Sequence, residues 1–362
     1  VQTCALPISS ISHEYSAAPS GVAGGDSPVS DKVRIAMLSM AHAHADGYAS
    51  EVASLPNTEL VVIWDDDVDR GKPASEKFGV PFSTDLDAVL SRSDIDAVVV
   101  NSETCKHTDH YLAAISAGKH IFTEKTLTLT TSDADKVVKA ANDAGIKFTV
   151  SLPSRTRGEN LLIRKLVDDG ALGDITLVRG RVGHSATLDS WFSGGTQWFV
   201  EADKSGGGAM FDLGCHTTDM VRWIMGPPKS AVALMTTVGK AYDIDDNGVA
   251  VVEFGEGGLG ILDSSFVHRA GPNLFEVFGT EGYVGRGFPG QGVVLHSTKL
   301  SDDEIQNMTA NLPESLPSIM TSWVSAILHG TPLTTTVEDG RNLTEMLEGS
   351  YIAWHSGSRH DF

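Results

Sequence analysis

The sequence predicts an α/β protein of two lobes: a doubly wound parallel sheet, then an α+β lobe with a mostly antiparallel sheet. Three observations carry this. Residues 33–150 hold five short, nearly continuous apolar runs with amphipathic helical stretches between them. Past Pro153 the helices thin out and short apolar runs follow one another across turns. A length of 362 residues also suits about two domains.

The first lobe is justified element by element. VRIAML (33–38), ELVVIW (59–64), DAVVV (96–100), HIF (120–122) and KFTV (147–150) read as strands buried on both faces, the pattern of a parallel sheet. Ala45, Tyr48, Ala49 and Val52 recur at helical spacing, as do Ala134, Val137, Val138 and Ala141. Gly118 and Gly145 stand where helices end, and Thr84 or Ser132 can cap helix starts. This alternation defines a Rossmann-type domain over residues 31–152.

The second lobe, 153–362, opens with the helix ENLLIRKLVDDGALG and the strand DITLVRGRVGH. A Gly- and Trp-rich segment leads to the helix FDLGCHTTDMVRWIMG. AVALMTTV, GVAVVEF, LGILDSSFV, NLFEVFG and GVVLH then read as strands without crossover helices, hence antiparallel. Two last helices, around 314–329 and 338–355, are expected to return to the first lobe or the seam.

Residues 1–30 are rich in Ser, Ala, Gly and Pro without periodicity and read as a disordered tail. They lack the basic start and apolar core of a secretory signal. VQTCALPI is similar to a translated sequencing adapter, so the tail is expected to be non-native. The net charge of −20 repels phosphate backbones and anionic lipid, which disfavours nucleic acid and membrane partners. No apolar run of bilayer-spanning length occurs. Cys4, Cys105 and Cys215 cannot form a disulfide framework, which fits a reducing, cytoplasmic setting.

The stretch RIAMLSMAHAHADGYASEV admits two readings. A strand ending in His-x-His resembles the opening of a metal-dependent hydrolase barrel, which needs further ligands from later strand ends. Eight βα units never accumulate, and His107, His110, His120, His184, His216 and His268 stand in no ligand spacing. No metal is therefore expected. In the dinucleotide reading the stretch is a phosphate loop running into a helix N-terminus. Ser39 and Ala41 stand where the first two glycines belong, followed by His42 and His44. Small residues remain, but glycine's freedom at φ > 0 is lost and the loop is a few residues short. His42 or His44 is a candidate donor to a pyrophosphate or toward a nicotinamide. Asp65, ending the second strand, suits a ribose diol, and the run Asp65–Asp67 would repel a 2′-phosphate, favouring NAD over NADP.

AGKHIFTEKTLTLTTSDADKVVKAANDAGIKF resembles the Gfo/Idh/MocA oxidoreductases, the family of glucose–fructose oxidoreductase and inositol dehydrogenase. The resemblance extends through KFGVPFSTDLDAVLSRSDIDAVVV, DDGALGDI, GGGAMFDLGCHTTDMVRWIMG and EDGRNLTEMLEGSYIAWHSGS, nearly all of Lys32–Phe362. It implies NAD-dependent hydride transfer to or from a hydroxyl of a sugar, polyol, inositol or related carbohydrate. Glu124 and Lys125 match the first two members of a Glu-Lys-Pro triplet whose lysine meets the substrate hydroxyl. Asp212 and His216 match an Asp-x-x-x-His pair, with the imidazole as proton acceptor and Asp212 orienting it or binding a hydroxyl. Ser102 and His107 match a nicotinamide-side loop, and Arg155 a substrate-side arginine. On this reading SGGGAM lets a substrate approach the backbone, and Cys105 and Cys215 are bystanders.

Two departures stand out: the missing glycines and Thr126 in place of the triplet's proline. Alternatives remain open at this point: redox-assisted glycoside cleavage with retained NAD, a non-catalytic dinucleotide or sugar sensor, and, least supported, the metal hydrolase. A homo-oligomer, dimer or tetramer, is expected from the antiparallel sheet's open face.

Overall fold

The computed structural model describes residues 31–362; the readings of the 1–30 tail, including Cys4, lie outside them. The first sheet holds β1 (Val33–Leu38), β2 (Thr58–Trp64), β3 (Phe82–Ser83), β4 (Ala97–Val100), β5 (His120–Thr123) and β6 (Phe148–Val150). Its order is β3-β2-β1-β4-β5-β6, every neighbour parallel. The order reverses between β1 and β4, which opens the crevice where such sheets take ligands. α1 (Ala45–Ser54), α2 (Val68–Phe78), α3 (Leu86–Leu90), α4 (His107–Ser116) and α5 (Thr131–Ala144) are the crossovers. All five apolar runs became strands because each is buried on both faces, Ile35, Val98 and Ile121 fully. The helix caps differ from expectation. Asp85 caps α3 and Thr130 caps α5, each side chain accepting the amide three residues on, rather than Thr84 or Ser132.

α6 (Gly158–Asp168) leads into the second sheet through β7 (Ile175–Gly183). The short helices α7 (Ala202–Ser205) and α8 (Ala209–Asp212) precede α9 (Cys215–Met225). Then come β8 (Pro228–Thr236), β9 (Asn247–Phe254), β10 (Gly258–Ser265), β11 (Phe275–Gly279), β12 (Gly282–Arg286) and β13 (Val294–Ser297). α10 (Asp302–Ala310), α11 (Ile319–His329), α12 (Val337–Ser356) and β14 (His360–Asp361) finish the chain. The sheet order is β13-β12-β11-β7-β10-β9-β8-β14. It is not purely antiparallel: β7 and β10 pair in parallel, because β7 enters the middle of a sheet whose other strands are joined by turns. Sequence reading merged α8 with α9 and missed β12 and α10.

The last helices tie the two sheets together. Trp323 of α11 is fully buried against the first sheet and its indole N–H donates to Lys147 O at 3.0 Å. α12 packs on α5 and β6 of one lobe and on α9 and β8 of the other. Arg155, just after β6, joins Asp219 on α9 (2.6 Å) and Asp339 on α12 (2.7 Å).

Candidate active site

The β1–α1 turn keeps the shape of a phosphate loop without its glycines. Ser39 adopts φ +70°, the left-handed conformation usually left to glycine, so the expected loss of that freedom is overcome at this residue. Its N–H donates to Trp64 O (2.7 Å) and its Oγ accepts the Ala41 N–H (3.2 Å), which holds the conformation. Three other loop amides are also engaged. Met40 N–H reaches Asp65 Oδ2 (2.7 Å), His42 N–H reaches Asn101 O (2.9 Å) and His44 N–H reaches His42 Nδ1 (3.1 Å). Trp198 closes the turn from the second lobe by donating its indole N–H to Ala41 O at 3.1 Å.

Glu124 is the buried hub beside this turn. Its Oε1 accepts from the Tyr48 hydroxyl and faces His44 Nδ1 at 2.9 Å, while Oε2 accepts the Lys125 amide at 3.0 Å. Tyr48 also bonds Ser151 Oγ at 2.8 Å. His42 points its Nε2 at Glu124 Oε2 from 3.7 Å, beyond hydrogen-bond distance, and that nitrogen has no partner among the described residues. Burial raises the cost of the Glu124 charge, yet His42 and the His44 bond outweigh it and hold the carboxyl well below the usual range. Burial drives His42 down to about 4, whereas the Glu124 hydrogen bond lifts His44. The donor atoms of His42, His44 and Glu124 all lie within 4.8 Å of one another, a set able to hold a metal ion.

Lys125 crosses the seam. The Lys125–Thr126 peptide is cis, and the ammonium donates to Asp212 Oδ1 and Asp212 O, both at 2.7 Å. Burial opposes the charge, but the Asp212 carboxylate prevails and raises the lysine pKa. His216 starts α9 one turn beyond Asp212, after a break at Leu213–Gly214. The ring makes no hydrogen bond among the described residues, and burial, with Lys125 adding, lowers it to about 4. The imidazole is thus neutral at physiological pH and a weaker base than an unperturbed one. Cys215 donates its thiol to Asp212 O and is pushed up to about 12 by burial, so it is no nucleophile.

Lys125, Asp212 and His216 line one cavity of about 400 Å³ with His42, His44 and His184. A second cavity of about 380 Å³ shares His44 and His216 with it and is lined by Arg157, Arg181 and Arg286, with no carboxylate in its wall. A third, about 410 Å³, lies against the β1–α1 turn beside Met40, Asp46, Arg70 and Lys77.

Other predicted residues sit differently. Asp65 is fully buried and already bidentate with Arg70 (2.9 and 2.7 Å), so its carboxylate is not free for a ribose diol. Asp66 pairs with Arg70 and with Lys106 (2.6 Å), which weakens the acidic argument against a 2′-phosphate. His107 is buried with its ring nitrogens against Ser102 O and Thr126 O, both at 3.0 Å, and Ser102 Oγ meets His110. Both therefore brace the Lys125–Thr126 segment instead of facing the cavity. Arg155 is spent on its two aspartates, and Arg157 instead lines the cavity shared by His44 and His216. The glycines of SGGGAM face protein: a Cβ on Gly208 would lie 1.8 Å from Asp245 O, and one on Gly207 2.2 Å from the Tyr351 hydroxyl. Sequence reasoning missed His184, Tyr48 as a Glu124 partner, and the three arginines. Tyr48 alone left a signal, four residues after His44 on one helix face.

A parallel sheet with a crevice at its reversal, closed by a second lobe that brings an aspartate and a histidine to a lysine, defines a two-lobed, dinucleotide-fold oxidoreductase. The profile described as "Oxidoreductase family, NAD-binding Rossmann fold" matches residues 35–152, and the "GFO/IDH/MocA C-terminal domain" matches 161–285. The chain belongs to the Gfo/Idh/MocA oxidoreductase family. It is 29% identical over 289 residues to a 1,5-anhydro-D-fructose reductase of Ensifer adhaerens, covering 78% of this chain and 84% of the relative. To a scyllo-inositol 2-dehydrogenase (NAD(+)) of Bacillus subtilis it is 25% identical over 322 residues, 86% and 91% of the two chains. Among solved structures, GenD2 from gentamicin A biosynthesis with NAD superposes at TM-score 0.76, 25% identity and 94% and 99% coverage. Levoglucosan dehydrogenase with NADH and levoglucosan shares the fold at TM-score 0.78, 20% identity and 91% and 99% coverage.

The residues fit a dinucleotide. The turn holds the left-handed first position at Ser39, the second position is the small Ala41, and a cavity borders Met40 to Ala43. With the amides of Met40, Ala41, His42, His44 and Ala45 engaged, those of Ala43, Asp46 and Gly47 at the start of α1 would hold the phosphates.

Proposed function

We propose that the protein is an NAD(P)-dependent oxidoreductase that interconverts a hydroxyl and a carbonyl on a sugar, polyol or inositol. Residues 31–152 would carry the cofactor and 153–362 the substrate. The observation that supports this most is that Lys125 from one lobe and His216 from the other line one cavity. A bound nicotinamide would accept or return the hydride. Lys125 binds the reacting oxygen and stabilises alkoxide character through its ammonium, which Asp212 holds charged and aimed. His216, neutral and without a competing protein partner, takes the hydroxyl proton during oxidation and returns it during reduction.

The arginine-lined cavity sharpens the substrate. The Arg157 side chain is exposed and bonded to nothing among the described residues; Arg286, partly buried on Phe275 and 3.5 Å from Glu159, has its pKa lowered by burial and by Arg157 beside it, against Glu159. In a chain of charge −20, such a wall favours a carbohydrate bearing a carboxylate or phosphate. The outer face of the second sheet exposes Val232, Leu234, Val249 and Leu259, which supports a homo-oligomer through that face. No helix among the described residues is long and apolar enough to cross a membrane, and together with the scarce cysteines this favours a cytoplasmic setting.

The test is calorimetric binding of NAD and NADP, followed by NADH formation over a panel of neutral polyols, uronates and sugar phosphates. Turnover preferring anionic members is the expected result. Binding without turnover across the panel would make the protein a sensor, and product without net NADH would indicate internal redox cleavage.

A further inference from the structure

We propose that His42, His44 and Glu124 bind a divalent transition-metal ion in the wall of the catalytic cavity, with open positions facing a substrate hydroxyl or carbonyl oxygen. Two imidazoles and one carboxylate form a ligand set suited to zinc, manganese or ferrous iron, leaving coordination sites for water or substrate.

Two independent observations point to an ion. The first is the orphan nitrogen: His42 is 4% exposed, its Nε2 is aimed at Glu124 from 3.7 Å, and it meets no hydrogen-bond partner among the described residues. A network built only to seat Glu124 would not leave that nitrogen unsatisfied. The second is charge. Glu124 is 2% exposed and forms no ion pair with lysine or arginine among the described residues; the nearest ammonium, on Lys125, is committed to Asp212. Among side chains, the carboxylate is met at close range only by two imidazoles, His44 at 2.9 Å and His42 at 3.7 Å, and a phenol, so a bound metal would add the fixed positive charge that no lysine or arginine brings.

The geometry requires modest adjustment. Donors around a tetrahedral ion with bonds of about 2.1 Å lie roughly 3.4 Å apart, against a spread of up to 4.8 Å here. The His44 side chain is 58% exposed and can swing inward. Coordination through His42 Nε2 places the ring proton on Nδ1, so the His44 amide gives up its 3.1 Å contact and turns to water. His42, His44, His184, Asp212 and His216 share the same cavity, so a substrate oxygen reaching the ion stays beside the proton-transfer groups. The ion would act there as a Lewis acid, polarising that oxygen alongside Lys125.

The experiment uses the full chain without an affinity tag, stripped with chelator and dialysed. Zn²⁺ and Mn²⁺ are titrated calorimetrically, metal content is measured by mass spectrometry, and Co²⁺ is added for its visible d–d bands. The expected result is about one ion per chain with d–d bands of a nitrogen- and oxygen-ligated site. His44→Ala, at an exposed position, should fold and lose at least about tenfold in affinity, and His184→Ala should keep it. Failure to retain any of the three ions, or unchanged binding in His44→Ala, would overturn the proposal. Metal content is read without turnover, so its outcome is separate from that of the redox assay.

Discussion

The two halves of the catalytic cleft are built on different terms. On the β1–α1 turn, nearly every backbone donor is spent inside the protein, on Asp65, Ser39 Oγ, Asn101 O and His42 Nδ1, and Trp198 seals the carbonyl side. Across the cavity, the Lys125–Asp212 pair is equally satisfied, yet the His216 ring has no hydrogen-bond partner among the described residues. One wall is locked and the other is poised. The difference teaches that in this molecule the side proposed to handle the proton keeps an uncommitted ring, while the turn that usually greets phosphate is a scaffold for two histidines.

The comparison can be broken most sharply at Lys125. Lys125→Met should lower kcat/KM by about 10³-fold, as loss of a charge-stabilising donor does, and should also lower Tm because Asp212 is left buried and unpaired. An intact rate would move the chemistry away from the poised wall. His216→Asn should cost about 10²-fold in kcat, with the pH profile as the sharper readout. With the imidazole at about 4, the acid limb of the oxidation rate should fall near pH 4, whereas an unperturbed histidine would give a limb near 6.5.

Glu124→Gln probes the locked wall, at about 3 kcal/mol of stability for disturbing a buried charge network, read by denaturant unfolding. The sign follows from its depressed pKa. The Glu124 contribution is complete above the unfolded carboxyl pKa, roughly 4.3, and is lost as pH falls below it toward the folded value. The variant's deficit should therefore shrink in acid. Arg157→Met should raise KM for an anionic substrate about tenfold, one charge-assisted bond's worth, and leave a neutral polyol unchanged. Smallest is Trp198→Phe, expected to lower stability by about 1 kcal/mol through the lost bond to Ala41 O.

Much of this was legible in the sequence, for reasons that differ by region. The β1, β4 and β5 runs announce themselves because strands buried on both faces must be apolar throughout. Lys125, Asp212 and His216 were found because their order along the chain matches a family pattern. Their ion pair and shared cavity needed the fold. The clamp on Asp65 is not legible, because Arg70, five residues on, turns back from α2 to it, and nothing in local spacing distinguishes that from an arginine facing water. The parallel pairing of β7 with β10 was hidden likewise: a strand's pattern records which face is buried, not the direction of its neighbour. The third partner of His42 and His44 was sought on later strands as histidine or aspartate. It arrived as Glu124, already assigned to another motif.

α12, twenty residues long and seated on both sheets, has a mechanical consequence. With Arg155 joining its first turn to the strand-end loop and to α9, the two halves are braced against swinging apart. The segment around Trp191–Thr196 borders the cavity and leaves Trp191 half in solvent, so it is the expected path of entry and exit. Backbone amides there should exchange with deuterium well ahead of those in the frame around them.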